Sequence, residues 1–445
     1  MVKYYQIPCY TMKCRLYPNK TQAKAIDDII YASGVFYNCL QYDIMHNPEL
    51  WDGKVNKNGM YVNCYPRFDV VRKADYIHNL IAEHPICECL PNSSITTKQG
   101  TIDDLKKSFG KNSIEFNKPR YYNKKYPRKS YTMQINWSAI KEHENHNNAI
   151  VNLTNVGKVK FRGWNQKIRF GDNKDFDFIE WRNKTNQRAV SITVSKDNCN
   201  DYWICFMLQN AWKPINECDI LTDVGVDAGV TDMAILSDGT KYENPRFGYK
   251  YDEKRKMLDY KLSKAWGWSN IEFREAYKKD NSITCSNNYN RLKLQSAKLD
   301  RKIMRKRHLY QHEMTTDIIK KHGFIAIESL SVKDMIETKK NDETNKRAAV
   351  RRSNLSDAAM SQMLTMMKYK ADWYNRNIQP IGQYEASTKV CSCCGYVLPN
   401  KLDTSVREWT CIKCGSHHDR DVNAAKVILI KAKQLIDVND LPFVI

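Results

Sequence analysis

The sequence predicts an α/β multidomain protein: a small β-barrel interrupted by a helical insertion, then an α/β unit that carries a zinc module. Three observations predict it. Strands of period-two alternation stand on either side of a helical stretch, at residues 10–16 and again between residues 150 and 209. Short apolar strands ending in Asp227 and Glu328 are then separated by long helical segments. Near the end, Cys391-x-x-Cys394 is followed, after sixteen intervening residues, by Cys411-x-x-Cys414. At 445 residues and 42% hydrophobic, the chain can bury real cores in about two to four domains.

In order, Tyr10, Met12, Cys14 and Leu16 alternate with Thr11, Lys13 and Arg15, a strand with one wet, basic face. Pro18 to Gln22 breaks it, and Asn19 or Thr21 can cap the next helix. Its stripe of Ala25, Ile26, Ile29, Ile30 and Phe36 runs on to about His46. A polar loop is expected over 47–66, a helix over 68–83 and another through Ile102, Leu105 and Phe109. From Pro119 to Tyr131 bases and aromatics interleave. Arg120, Lys124, Lys125 and Arg128 there are candidate phosphate contacts, with tyrosines to stack on bases; a solvated loop with snorkelling rings is the plain alternative. Strands follow at 150–153, 156–161 and 166–170, then a hairpin of 189–195 with 202–209.

Residues 222–239, TDVGVDAGVTDMAILSDG, place Asp227 among apolar neighbours with the pattern of a central strand. Burying that carboxylate unpaired is costly, so a metal ion or a turn must justify it. The flanking glycines let another backbone or a phosphate approach. Residues 251–312 read as helical apart from a polar break at 280–288, with sixteen Lys and Arg against seven Asp and Glu. Arg291, Arg301 and Arg305 belong to the resulting basic rod, which either tracks phosphates or is simply solvated. Phe324 to Glu328 is a short buried strand ending in a carboxylate. Residues 336–354 are polar and basic; a helix from Ser356 to about Arg376 with a methionine stripe and a strand at 378–384 complete the unit.

The net charge of +21 makes nucleic acid the default partner. No apolar run approaches the ~20 residues of a membrane helix, and the first residues have no signal-peptide core. Fifteen cysteines, mostly scattered, suit a reducing compartment. The expectation is a cytoplasmic, nucleoid-associated protein with no membrane partner.

Each Cys-x-x-Cys knuckle puts two soft sulfurs on one tight turn closed by Gly395 or Gly415. Zn²⁺ takes four such ligands, Cys391, Cys394, Cys411 and Cys414, at roughly 2.3 Å each. Cys393 competes with Cys394, and His417 or His418 can stand in for a thiolate. Directly after come Asp419-Arg420-Asp421 and an apolar helix. One aspartate there would ordinarily be a helix cap. Asp227, Glu328 and Asp421, far apart in sequence and each at an element boundary, are however what a two-metal phosphodiesterase needs. Such hard oxygen ligands suit Mg²⁺ or Mn²⁺ rather than Zn²⁺.

The stretches GVDAGVTDMAILSDG, IAIESLSVKDM and CSCCG…CIKCGSHHDRDVNAA resemble the three RuvC motifs and zinc ribbon of TnpB, the transposon-encoded RNA-guided DNA endonuclease. The compact type V CRISPR effectors share these motifs, and the early KCRLYPNKTQ also resembles TnpB. The resemblance implies an RNase H-like RuvC nuclease domain over 216–386 and 419–445, with a zinc ribbon at 387–418. It also implies a wedge barrel over 1–17 and 118–215, interrupted by a helical recognition lobe at 18–117. By motif, Asp227, Glu328 and Asp421 are the catalytic Mg²⁺ (or Mn²⁺) ligands, the four cysteines hold Zn²⁺, and Asp419 is not a ligand. Guide RNA and target DNA are the implied partners, on a monomer or a homodimer sharing one RNA. Asp-Ala-Gly in place of the commoner Asp-Leu-Gly and the extra Cys393 are the departures. A guide-free resolvase or transposase, or a non-catalytic RNA-guided binder, are the competing readings.

Overall fold

The computed structural model describes residues 9–55, 61–84, 94–109, 121–123, 126–142, 148–162, 169–170, 174–175, 189–209, 222–265, 286–329, 359–382, 388–399, 402 and 406–439. The chain forms two compact units, Met1–Ala211 and Trp212–Ile445.

The first unit is built on strand β1 (Cys9–Tyr17) and helix α1 (Lys20–His46). Asn19 caps the helix reciprocally: its Oδ1 accepts from the Gln22 amide at 2.8 Å, and the Gln22 side chain accepts from the Asn19 amide at 3.0 Å. After α1 come β2 (Trp51–Val55), β3 (Tyr61–Pro66), α2 (Phe68–Val71), α3 (Ala74–Glu83) and α4 (Ile95–Phe109). Strands β4 (Ser130–Asn136), β5 (Ile140–Glu142), β6 (Asn148–Leu153), β7 (Gly157–Arg162), the two-residue pair β8 (Arg169–Phe170) and β9 (Lys174–Asp175), β10 (Ala189–Lys196) and β11 (Tyr202–Gln209) complete it. The stretch read as a loop at 47–66 thus contains the β2–β3 hairpin, and the expected helix at 68–83 divides at Arg72 and Lys73.

Seven strands form one antiparallel sheet in the order β4-β10-β11-β1-β7-β6-β5. All seven feed one core, from Met12, Cys14 and Leu16 through Tyr131, Ile140, Val151, Phe161, Val194 and Phe206, so the sheet curls around it. Ile26, Ile29 and Ile30 of α1 enter this core, while Phe36, Leu40 and Ile44 further along α1 join a second one with Trp51, Phe68, Leu80, Ile102 and Leu105. One 27-residue helix, about 40 Å long, therefore serves both cores.

The second unit has a five-stranded sheet in the order β14-β13-β12-β15-β16. Its strands are β12 (Thr222–Asp227), β13 (Asp232–Leu236), β14 (Lys241–Glu243), β15 (His322–Glu328) and β16 (Asn377–Ile381). The first three are mutually antiparallel, and β15 and β16 run parallel to β12. This is the strand order and direction of an RNase H-like sheet. Helices α5 (Phe247–Lys250), α6 (Asp252–Ala265) and α7 (Asn287–Lys321) precede β15. Helix α7 runs past the expected end at His312 straight into the strand. Helix α8 (Met360–Trp373) begins after Ala359, later than Ser356.

Alternation along the strands sorts the two faces of this sheet. Val224, Val226, Ile325 and Ile327 pack on Met314, Ile318 and Ile319 of α7 and on the methionine stripe of α8. On the other face Ala326 and Ile381 meet Ile428 and Ala432 of the last helix, α9 (Arg420–Asn439). That helix comes so close that a Cβ on Gly225 would lie 2.0 Å from the Ala425 carbonyl oxygen. Because the clash is with backbone, no side-chain rotation relieves it. Gly225→Ala is expected to destabilise the second unit by about 3 kcal/mol, the upper end for overpacking, read as a lower midpoint in urea.

Candidate active site and metal centre

Strand register brings two of the sequence-predicted carboxylates together. Val226 pairs with Ile327 on adjacent parallel strands, so Asp227 and Glu328 follow side by side at their carboxyl ends. Alternation puts both on the face that carries Gly225 and Ala326, the face covered by α9. Asp421 lies in the first turn of α9, one turn before the Ala425 contact. The Gly225 approach therefore sets the depth at which all three carboxylates converge.

Their electrostatics are those of a crowded acidic site. Asp227 is pushed up to about 7, first by desolvation, then by the charges of Glu328 and Asp421, with Arg420 opposing. Burial also raises Glu328, with Lys431 opposing. Asp421 is held from two sides: Arg407 Nη1 donates to Oδ2 at 3.0 Å and Arg420 Nε to Oδ1 at 2.9 Å. Asp419 is the helix cap, its Oδ1 accepting from the amides of Asp421 and Val422 at 3.0 Å each while Lys241 pairs with Oδ2. Among the described residues, the groups closing within 4.8 Å are made of thiols and imidazole, so the carboxylates form an open set. Half-buried carboxylates whose like charges repel one another present hard oxygens that fit a divalent cation keeping water and phosphate in its shell.

The thiols form a closed set. Sγ of Cys391, Cys394, Cys411 and Cys414 all lie within 4.8 Å of one another. Cys391–Cys414 and Cys394–Cys411 are each 3.7 Å apart. A tetrahedron with arms of ~2.3 Å has edges of about 3.8 Å, so the four could hold Zn²⁺ without rearrangement. The knuckles repeat each other: Gly395 and Gly415 both sit at φ +71°, and their amides donate to the Cys391 and Cys411 carbonyls. A second group, Cys391, Cys393 and His418, shares one thiol with the first. His417 is in neither; its Nδ1 lies 3.2 Å from the Thr410 hydroxyl.

The ribbon is bonded to the start of α9. Asn423 is buried; its side chain donates to the Val390 carbonyl at 2.7 Å and accepts from the Ser392 amide at 2.9 Å. Strands β17 (Glu408–Thr410) and β18 (His417–Asp419) pair, and β18 runs directly into α9. The Arg420 amide donates to the Arg407 carbonyl. Neither Asn423 nor Arg407 stood out in the sequence: the first is one polar residue in VNAA, the second a lone arginine in a basic chain.

The candidate nucleic-acid residues fare unevenly. Arg120, Lys124 and Lys125 lie outside the described residues, as does the polar segment 336–354. Arg128 is corrected: it is buried, ion-paired with Asp104, bonded to the Ser130 carbonyl and packed against the rings of Tyr37 and Tyr122. Its guanidinium ties α4 to the start of β4 instead of facing a phosphate. Arg291, Arg301 and Arg305 lie on α7, whose inner stripe of Leu292, Leu299 and Ile303 packs with Leu258 of α6. Arg291 and Arg305 are exposed and Arg301 is half-buried. No helix among the described residues is long and apolar enough to cross a membrane.

Two family models match the second unit: "Probable transposase" over residues 213–339 and "Cas12f1-like, TNB domain" over residues 361–428. A Streptomyces pristinaespiralis protein named "Putative RNA-guided DNA endonuclease" is 31% identical over 255 residues, 56% of this chain and 55% of that protein. InsQ of Escherichia coli K12, under the same designation, is 27% identical over 293 residues, 61% of this chain and 67% of InsQ. The chain thus spans between half and two thirds of the length of these relatives. A solved Cas12f1-sgRNA-target DNA complex contains a chain of similar fold, with TM-score 0.52, 14% identity and coverage of 92% of this chain and 82% of that one.

Two outcomes follow. Asp227 titrates near 7 folded and near 3.9 unfolded, so its contribution to stability is present below pH ~4 and is lost as pH rises through 7. Asp227→Asn should raise the melting temperature at pH 8 by roughly 2–4 °C without added divalent cation, with the gain shrinking towards pH 4. Elemental analysis should find one zinc per chain, and Cys411→Ser should lose it.

Proposed function

We propose that this relative of the TnpB-type proteins is an RNA-guided DNA endonuclease that cuts by two-metal RuvC chemistry. The observation that carries the reading is the meeting of Asp227, Glu328 and Asp421 at the open end of an RNase H-like sheet, with the repulsion between them written into the raised Asp227. The names carried by the relatives point to the same class of activity.

A divalent pair bound there, Mg²⁺ or Mn²⁺, would supply an activated water and a counter-charge for the leaving oxygen. Asp227 and Glu328 would hold it from the sheet and Asp421 from the helix. Asp227 would give up the proton that burial lets it keep near neutral pH, so cation binding should weaken as pH falls below 7. Arg407 and Arg420 hold the Asp421 carboxylate in place. Base pairing with a guide RNA would select the target, a short duplex motif beside it would be read by the protein, and basic surfaces such as the α7 rod would hold the heteroduplex by shape.

The first test is to purify the protein from cells carrying its native locus and sequence the RNA that accompanies it. A discrete RNA with a constant structured part and a variable end is the expected result. In cleavage assays with that RNA, Asp227→Ala and Glu328→Ala should each cut at least about 10³-fold more slowly while retaining the RNA. Normal cutting by either variant would refute the metal assignment. Mg²⁺-dependent cutting of naked DNA with no stoichiometric RNA would point instead to a guide-free nuclease.

A further inference from the structure

Beside the thiols lies a group that the zinc site does not need as a ligand. His418 Nε2 is 3.1 Å from Cys391 Sγ. The ring is buried and tilted against Trp409, its cross-strand partner, at 4.8 Å between centroids. Four sulfurs already close a tetrahedron, and His418 groups with Cys391 and Cys393 but not with the other three ligands. It therefore lies on the outer side of Cys391.

Four thiolates on one Zn²⁺ leave two net negative charges, which a protein interior tolerates only with donors aimed at the sulfurs. The knuckles supply some. Backbone amides of Cys393 and Cys394 serve Cys391, the Tyr396 amide serves Cys394, and the Ser416 hydroxyl and amide serve Cys414. Cys391 is the most enclosed of the four, level with Cys411. A neutral imidazole with its proton on Nε2 is placed to give Cys391 a third donor.

We propose that His418 donates a hydrogen bond to the zinc-bound Cys391 thiolate and so fixes the metal centre to the strand that enters the nuclease helix. The next residue, Asp419, caps that helix, and Asp421 follows within its first turn. His418 is thus a positioning residue: it touches no reacting atom, but the bond connects the soft metal site to the third carboxylate, Asp421, three residues further along the chain. This role requires zinc in the ribbon. It does not require the protein to be a nuclease, so it is tested without cleavage.

The probes are Co²⁺ and Zn²⁺ on the full chain. The Co²⁺-loaded parent should show the absorption of a four-sulfur tetrahedral site. Zinc release to a chromophoric chelator should be about 10–100-fold faster in His418→Phe, which keeps the ring contact with Trp409 but has no N–H. His418→Gln, which keeps a donor at similar reach, should release zinc at close to the parental rate, and His417→Ala should not differ from the parent. Should the Phe variant not fold, His418→Met is the second non-donor. A three-sulfur, one-nitrogen spectrum would make His418 a ligand and overturn the proposal. Unchanged release in the non-donor variants would overturn it too, as would equal acceleration in Phe and Gln, which would mean packing alone. If the bond holds but cutting is absent, the failure belongs to the nuclease reading.

Discussion

The second unit depends on one close approach, that of the Gly225 backbone to the Ala425 carbonyl. A helix laid on a sheet normally stands off by the length of the side chains between them. Here the strand has no side chain at the crossing, and the helix meets it with Ala424 and Ala425, both buried. The consequence is geometric. With α9 pressed onto β12, its first turn reaches the carboxyl ends of β12 and β15, and Asp421 comes within electrostatic range of Asp227. A larger residue at 225 must displace the helix, and with it Asp421.

The ribbon secures the other side of the same helix. Among the described residues its apolar core is Cys391, Trp409 and Cys411 with a few half-buried neighbours, too little to hold a fold by burial alone. A four-thiolate metal would supply what the core cannot. Rigid knuckles then make good anchors: Asn423 grips the first through Val390 and Ser392, and β18 delivers the chain from the second. The first turn of α9 is thereby fixed from the sheet by contact and from the ribbon by hydrogen bonds.

Local chemistry made much of this legible in the sequence. Twin knuckles need their cysteine and glycine spacing whatever the surroundings, and a carboxylate among Val224, Val226 and Ala228 declares that something must offset its burial. The α1 stripe and the methionine stripe of α8 follow helical periodicity and both pack inward. What escaped the reading depends on partners distant in sequence. Arg128 looked like a phosphate contact because its neighbours are basic and aromatic, yet Asp104 and Tyr37, on two helices read only as apolar stripes, claim it. The β2–β3 hairpin escaped because Asp52, Gly53 and Lys54 have turn-like composition, while their pairing is set by β3. Asn423 and Arg407 acquire meaning only when the ribbon is set against α9.

The three carboxylates are not equivalent, and the difference follows from where each is mounted. Asp421 sits at a helix N-terminus, where the backbone dipole favours negative charge, and two guanidiniums bond to it. Asp227 sits at a strand end, where no dipole helps; it is desolvated, and only Arg420 opposes the repulsion of its two acidic neighbours. Glu328 is raised by burial, with Lys431 opposing. A group of like charges so arranged relieves its repulsion by protonating its least supported member, which is Asp227. A cation entering the site must therefore displace a proton chiefly from the sheet. The helix carboxylate is supported by groups that stay charged across the physiological range.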